Sequence, residues 1–86
     1  MFYISGFYKF KKIQGIKKAK KLLNDIFIKY KIRGTIIISN EGINGTISSN
    51  KKNLEFVLKK IKKTFHFINF DSLNLSKSKF QIFHRS

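Results

Sequence analysis

The 86-residue sequence predicts an α+β domain with the ferredoxin-like order βαββαβ, a two-layer sandwich of two helices on one face of a four-stranded antiparallel sheet. Three observations predict this fold. β-type residues open the chain, helical periodicity follows at 16–30 and 54–65, and a reversal rich in Gly and Asn lies between these segments. Right-handed crossovers then place the first and third strands centrally and the second and fourth at the edges.

The first strand, 2–10, has apolar residues at both odd and even positions, which is typical of a central strand with both faces at least partly covered. From Ile16 the period becomes that of a helix. The apolar stripe of this helix comprises Ile16, Ala19, Leu22, Leu23, Ile26, Phe27 and Tyr30. Ile28 falls on the opposite, lysine-rich side, and Gly34 lies near the expected C-terminal cap.

The reversal between the second and third strands allows two registers. A three-residue loop at 40–42 pairs Ser39 with Ile43 and places Gly42 in the left-handed region. A two-residue turn at 44–45 is the alternative. We favour the three-residue loop, because it keeps the isoleucine-rich second strand opposite the third.

Ser49 and Asn50 offer an N-cap for the second helix. The core stripe of that helix comprises Leu54, Val57, Leu58, Ile61 and Phe65. After a polar stretch at 71–79, the β-type residues at 80–85 predict the fourth strand. Because the sequence stops at Ser86, we expect this last strand to be truncated, to leave part of the first strand unpaired and to expose a sheet edge that favours self-association.

The composition excludes several function classes. The chain has no Cys, which excludes disulfides, thiolate catalysis and Cys-based metal sites. His66 and His84 are far apart in the sequence and the four acidic residues are scattered, so we predict no metal site and no catalytic triad or carboxylate pair. No apolar run is long enough to span a membrane, and no secretion signal is present, so we expect a cytoplasmic protein without a membrane partner.

A formal net charge of +15 is extreme for this length and attracts polyanions, of which nucleic acid is the commonest in a cytoplasm. A second interpretation stays open. Most of the basic residues are Lys, and codons rich in A and T encode Lys, Ile and Asn, so mutational bias can supply much of the excess.

Aromatic and basic side chains alternate at residues 7–12. On a sheet surface such aromatics can stack on bases while lysines bind phosphates; alternatively, they fill the core beneath the helices. The planar guanidinium group of arginine can form two parallel hydrogen bonds to a phosphate, and the chain has two arginines. We therefore predict that the nucleic-acid-binding residues are Lys9, Lys11, Lys12, Arg33 and Arg85.

The reversal carries the motif Glu41, Gly42, Ile43, Asn44, Gly45 and Thr46, preceded by the strand 34–38 and by the opening aromatic segment 7–10. These residues resemble the N-terminal domain of the oxygen-dependent tRNA uridine hydroxylases, which are rhodanese-domain proteins of the TrhO (YceA) type. The resemblance implies an acylphosphatase-like form of the fold. It also matches Arg85 to a His-Arg pair near the start of the family's final strand.

The resemblance further implies an oxidoreductase activity for the parent protein: hydroxylation of the wobble uridine of tRNA at carbon five, with molecular oxygen as co-substrate. The family's reactive cysteine belongs to a rhodanese domain that residues 1–86 do not contain, so we expect no catalytic residue and no cofactor in this chain. Its expected role as a single domain is to support tRNA binding and to pack against the rhodanese domain. The alternative is a non-catalytic remnant or a basic RNA-binding or interaction module.

Individual motif positions allow two interpretations. Glu41 can hold a partner domain or a substrate hydroxyl, or it can accept turn amides and neutralise nearby lysines. Asn44 can satisfy its own backbone, as Asn often does at turns, or face a ligand. Gly42 and Gly45 are expected to be conformational, with Gly45 at a close approach of another backbone or a ligand.

Overall fold

The computed structural model describes residues 2–78. The elements in chain order are β1 (Phe2–Phe10), α1 (Ile16–Lys29), β2 (Arg33–Ser39), β3 (Gly42–Ser49), α2 (Lys51–Phe65) and β4 (Ser72–Ser78). The strands form one antiparallel sheet in the order β2-β3-β1-β4. This arrangement confirms the predicted ferredoxin-like sandwich, including the central position of β1 and β3.

The core lies between the helices and one face of the sheet, as the two apolar stripes predict. It comprises Phe7, Ile13, Ala19, Leu23, Ile26, Ile32, Ile38, Ile43, Ile47, Leu54, Val57, Ile61 and Phe65. Leu22 belongs to the predicted stripe of α1 but is exposed, and Ile28 on the lysine-rich side is 71% exposed. Neither helix in the described range 2–78 has the length and apolar composition needed to cross a membrane.

Within residues 2–78 both helices pack on the same sheet face, and we call the opposite one the open sheet face. Successive strand residues point to opposite faces, so the neighbours in sequence of the core residues Phe7 and Ile43 point away from the helices. The exposed side chains of the open sheet face include Tyr8 and Phe10 of β1, Ile37 of β2, and Asn44 and Thr46 of β3.

The predicted position of the fourth strand is wrong. β4 is formed by 72–78, within the stretch expected to be a polar connection, and 80–85 lies outside the described residues. β4 pairs with β1 from Phe2 opposite Ser78 to Tyr8 opposite Ser72. The expected gap along β1 is therefore also wrong, because β1 has strand partners on both sides over most of its length.

The reversal lies at the predicted loop, and the turn at 44–45 is excluded because both residues are within β3. The predicted register is wrong by one residue: Ser39 pairs with Gly42, and Ile38 with Ile43. The close contact of Gly42 with β1 draws it into the ladder, and its φ of 157° is nearly extended rather than left-handed.

The start of α2 and the end of α1 are set by residues next to each helix. The Asn50 side chain accepts a hydrogen bond from the Asn53 N–H at 2.8 Å, which confirms the predicted N-cap of α2. The expectation for the end of α1 is wrong, because Gly34 lies inside β2. Lys31, two residues after the helix, takes the left-handed conformation instead, with φ 54°.

Candidate nucleic-acid interface

Three of the six motif residues build the sheet. Ile43 is buried in the core. A Cβ on Gly42 would collide with the carbonyl oxygen of Lys9 in β1. A Cβ on Gly45 would lie 2.7 Å from the carbonyl oxygen of Thr35 in β2, so a neighbouring backbone does approach Gly45 closely, as predicted.

The other three motif residues, Glu41, Asn44 and Thr46, are exposed. The backbone of Glu41 is held in place, because its N–H donates to Ser39 Oγ at 3.2 Å and its carbonyl accepts from the Lys11 N–H at 3.0 Å. Within residues 2–78 the Glu41 carboxylate has no hydrogen bond or ion pair. It thus does not accept turn amides there, and it is available to a ligand.

A cavity of about 340 Å³ opens beside this loop, and we call it the motif-loop cavity. It is lined by Tyr8, Lys9, Phe10, Ser39, Glu41, Gly42, Ile43 and Asn44. Its volume lies at the lower end of the range for small-ligand sites. Motif residues and the aromatic segment of β1 thus meet at one site, which the sequence did not reveal.

The aromatic segment of β1 divides between the two faces of the sheet: Phe7 fills the core, as one interpretation predicted, whereas Tyr8 and Phe10 stay on the surface. Phe7 fills the core and packs against Phe70, with ring centroids 5.1 Å apart. Tyr8 and Phe10 lie on the open sheet face, 40% and 72% exposed, with ring centroids 5.3 Å apart and planes at 69°. Because alternate residues of a strand share a face, Tyr8 and Phe10 lie side by side, and both line the motif-loop cavity.

Lys9 points to the helix side of β1 and is half-buried. Its Nζ lies 3.4 Å from the Asp71 carboxylate and 5.5 Å from the centroid of the Phe67 ring. Its charge is therefore partly compensated within the protein, which makes it a weaker phosphate ligand than an unpaired lysine.

Asp71 joins the end of β1 to the segment before β4, a role that the sequence did not reveal. Its carboxylate accepts a 2.6 Å hydrogen bond from the Phe10 N–H, and its own N–H donates to the Tyr8 carbonyl at 2.9 Å. The Phe10 hydrogen bond lowers the pKa of Asp71 below its usual 3.8; desolvation of the carboxylate opposes the shift, and the hydrogen bond and charge of Lys9 add to it.

Because the pKa of Asp71 is lower in the folded state, its contribution to stability is present above pH 3.8 and is lost as the pH falls through the folded-state value. We expect Asp71→Asn to lower the free energy of unfolding at neutral pH and to weaken its dependence on pH below 3.8. Urea unfolding at several pH values measures both effects. The same change at Asp25, which is exposed on α1, is the control, and an unchanged acid profile in Asp71→Asn would contradict this role.

The predicted basic site residues do not all come together. Lys11 and Lys12 follow β1 at the motif-loop end of the sheet, where the backbone of Lys11 bonds to that of Glu41. Arg33 opens β2 at the opposite end, six residues and about 20 Å along the strand from Ser39. Arg85 lies outside the described residues.

A metal site was not expected, and residues 2–78 contain no group of three His, Asp or Glu side chains that could hold a metal ion. His66 is exposed at the end of α2, and His84 lies outside the described residues. The site brings together aromatic rings, an amide, a carboxylate and lysines, which are groups that can recognise a ligand by stacking, hydrogen bonds and charge.

The two-layer sandwich and its motif loop place the chain in the class of ferredoxin-like domains of acylphosphatase type. The structure of full-length HypF in the phosphate- and nucleotide-bound form contains a similar fold, with a TM-score of 0.68 at 15% identity over 96% of this chain and 11% of that one. Residues 2–86 match the family model described as the UPF0176 acylphosphatase-like domain. The chain belongs to this family.

Relatives with a named activity support the resemblance found in the motif. The chain is 58% identical over 85 residues to a protein of Pelagibacter ubique named tRNA uridine(34) hydroxylase, covering 99% of this chain and 28% of that protein. A protein of the same name from Wigglesworthia glossinidia brevipalpis is 41% identical over 70 residues, 81% of this chain and 22% of that protein. The chain thus spans about a quarter of the length of these relatives.

Proposed function

We propose that this chain serves as the N-terminal domain of a tRNA uridine(34) hydroxylase and contributes affinity for the tRNA backbone. The 58% identity to the Pelagibacter ubique protein over 99% of the chain carries this proposal. The whole enzyme would hydroxylate the wobble uridine with molecular oxygen as co-substrate. Catalysis would reside in its rhodanese domain, because residues 1–86 contain no cysteine to act as the reactive group.

The distribution of charge at the motif-loop end supports backbone binding. Lys12 and Lys17 line one depression of about 500 Å³. Lys11 is one residue away and attached to the motif loop, and we call these three residues the basic corner. Within residues 2–78 the one ion pair joins Lys9 to Asp71, so the basic corner is uncompensated and attracts phosphates.

We expect tRNA affinity to fall steeply with salt, because each lysine that neutralises a phosphate releases counterions. The double variant Lys11→Gln, Lys12→Gln is expected to weaken binding and to reduce the slope of log affinity against log salt by roughly 1 for each lysine. Fluorescence anisotropy with labelled tRNA over a salt series measures both. Arg33→Gln is tested separately: a loss of affinity in this variant would show that the start of β2, at the opposite end of the sheet, also contacts the RNA.

The matched control is Lys59→Gln, Lys63→Gln, which removes the same charge from the exposed side of α2. It should change affinity and salt slope much less. Equal losses from both pairs would mean diffuse attraction without an oriented contact. An affinity that does not depend on salt would argue against RNA binding altogether and favour an interaction module.

A second role, packing against the rhodanese domain, is favoured by the apolar side chains of β4. Leu73 and Leu75 lie opposite Phe7 and Ser5 on the helix side of the sheet, yet both are about half exposed. A rhodanese domain of the same protein would cover them. Self-association through the outer edge of β4 is an alternative, because β4 is an edge strand; a sedimentation coefficient of this chain that rises with concentration would support it.

A further inference from the structure

The open sheet face presents one row of exposed side chains that crosses three strands. Asn44 of β3 lies directly opposite Tyr8 on one side and Ile37 on the other. In the next row toward the motif loop, Gly42 lies between Phe10 and Ser39. The motif-loop cavity lies at this end of the sheet and is lined by Gly42, Tyr8 and Phe10.

The backbone that carries the two exposed rings at the cavity is held in place. The N–H of Phe10 donates to the Asp71 carboxylate, and the carbonyl of Tyr8 accepts from the Asp71 N–H, so the end of β1 is fixed. The rings contact each other edge to face. A fixed aromatic pair on an open sheet is the surface on which unpaired bases stack.

The polar groups around the rings match the edges of a nucleobase. The exposed amide of Asn44 offers donors and an acceptor side by side, which can pair with a base edge that presents an acceptor next to a donor. The Glu41 carboxylate, on the rim of the cavity, accepts hydrogen bonds only and suits a base N–H or a ribose hydroxyl. Its charge repels phosphate, so phosphates belong on the side of Lys11 and Lys12.

We propose that the motif-loop cavity binds one unpaired nucleobase of an RNA strand, which stacks on one ring of the edge-to-face pair Tyr8 and Phe10 and is hydrogen-bonded by Asn44. Lys11 and Lys12 hold the flanking phosphates. The net charge of +15 and the uncompensated lysines beside the cavity favour a polyanion as the occupant over an apolar protein segment. This inference rests on the proposed function, which supplies RNA as the ligand.

The test compares two fluorescein-labelled oligonucleotides, hexauridylate and an abasic ribose-phosphate hexamer of equal charge. The 86-residue chain is expected to bind hexauridylate about tenfold more tightly than the abasic hexamer, since only the former can stack. Phe10→Ala and Tyr8→Ala are each expected to remove most of this difference, and Asn44→Ala a smaller part. None of the three should change the salt slope, because none removes a phosphate contact.

Two further variants make the test specific. Ile28→Ala removes a side chain as exposed as Phe10 from the helix side and should leave both affinities unchanged. Phe10→Leu keeps an apolar side chain at the end of β1 without an aromatic face, so it should preserve the thermal transition while losing the preference for hexauridylate.

Equal binding of the two hexamers, or a normal preference in Phe10→Ala, would overturn the base site. If tRNA still bound with a steep salt dependence in that case, the proposed function would stand and the aromatic pair would be a surface for another protein domain. If neither tRNA nor the hexamers bound, both the proposed function and the base site would be overturned.

Discussion

Gly45→Ala is expected to lower the free energy of unfolding by about 3 kcal/mol, at the upper end of the usual cost of overpacking. The new Cβ would lie 2.7 Å from the carbonyl oxygen of Thr35, 2.9 Å from Ile36 Cγ1 and 3.0 Å from Phe7 Cζ. These atoms belong to β2 and β1, which flank β3 on both sides. β3 therefore cannot move away from one neighbour without approaching the other.

Urea unfolding and thermal melting followed by circular dichroism measure this loss, and a decrease in Tm of more than about 10 °C is expected. Thr46→Ala is the matched control, because Thr46 is the next residue of β3 and is exposed. Its cost should stay below about 1 kcal/mol. If the two variants are equally stable, the close pairing of β2 with β3 at Gly45 is not as described.

This prediction separates the two kinds of motif residue. Substitutions of Gly42, Ile43 or Gly45 should reduce RNA binding by lowering the stability of the fold. Substitutions of Glu41 or Asn44 should change binding while the domain stays folded. The same motif thus contains residues that build the sheet and residues that face the motif-loop cavity.

Ile61→Ala is expected to cost about 2–5 kcal/mol, through lost burial and the cavity left behind. Ile61 is fully buried in α2, within the core between the helices and the sheet. Small domains have total stabilities of about 5–15 kcal/mol, so this single change could leave a substantial fraction of the protein unfolded.

Ile28→Ala deletes the same atoms from a side chain that is 71% exposed on α1, and it should change stability by less than about 0.5 kcal/mol. Urea unfolding of the two variants at one temperature gives the comparison. Similar losses for Ile28 and Ile61 would contradict the assignment of the inner and outer faces of the helices.

The sequence predicted the helices well, because the helical spacing of their apolar residues indicates which side of each helix is buried. The stripe of α2 contains Leu54, Val57, Ile61 and Phe65, all of which are buried. Local pattern missed β4, because its residues 72–78 lie within the stretch that the sequence predicts to be a polar connection. Leu73 and Leu75 do alternate with polar residues, but a seven-residue strand with two leucines carries a weak signal until β1 pairs with it.

The candidate site was only partly predictable. The sequence singled out both the motif and the aromatic segment 7–10, but the contact between them arises from the pairing of Tyr8 with Asn44 across β1 and β3. Asp71 was missed entirely. It lies 61 residues from Phe10, and no local pattern indicates that its carboxylate accepts the Phe10 N–H.

The sequence alone determined the two-layer architecture, the basic charge and the lack of cysteine in these 86 residues, because periodicity and composition are properties of the chain itself. The tertiary structure decided which aromatics enter the core, which lysines are compensated and how the hairpin is registered. Phe7 is buried while Tyr8 and Phe10 are exposed, and Lys9 is paired with a carboxylate 62 residues away. Which face of β1 is buried, and which carboxylate lies beside Lys9, depend on how the strands pair. Strand pairing is defined only when segments that are distant in the sequence come together.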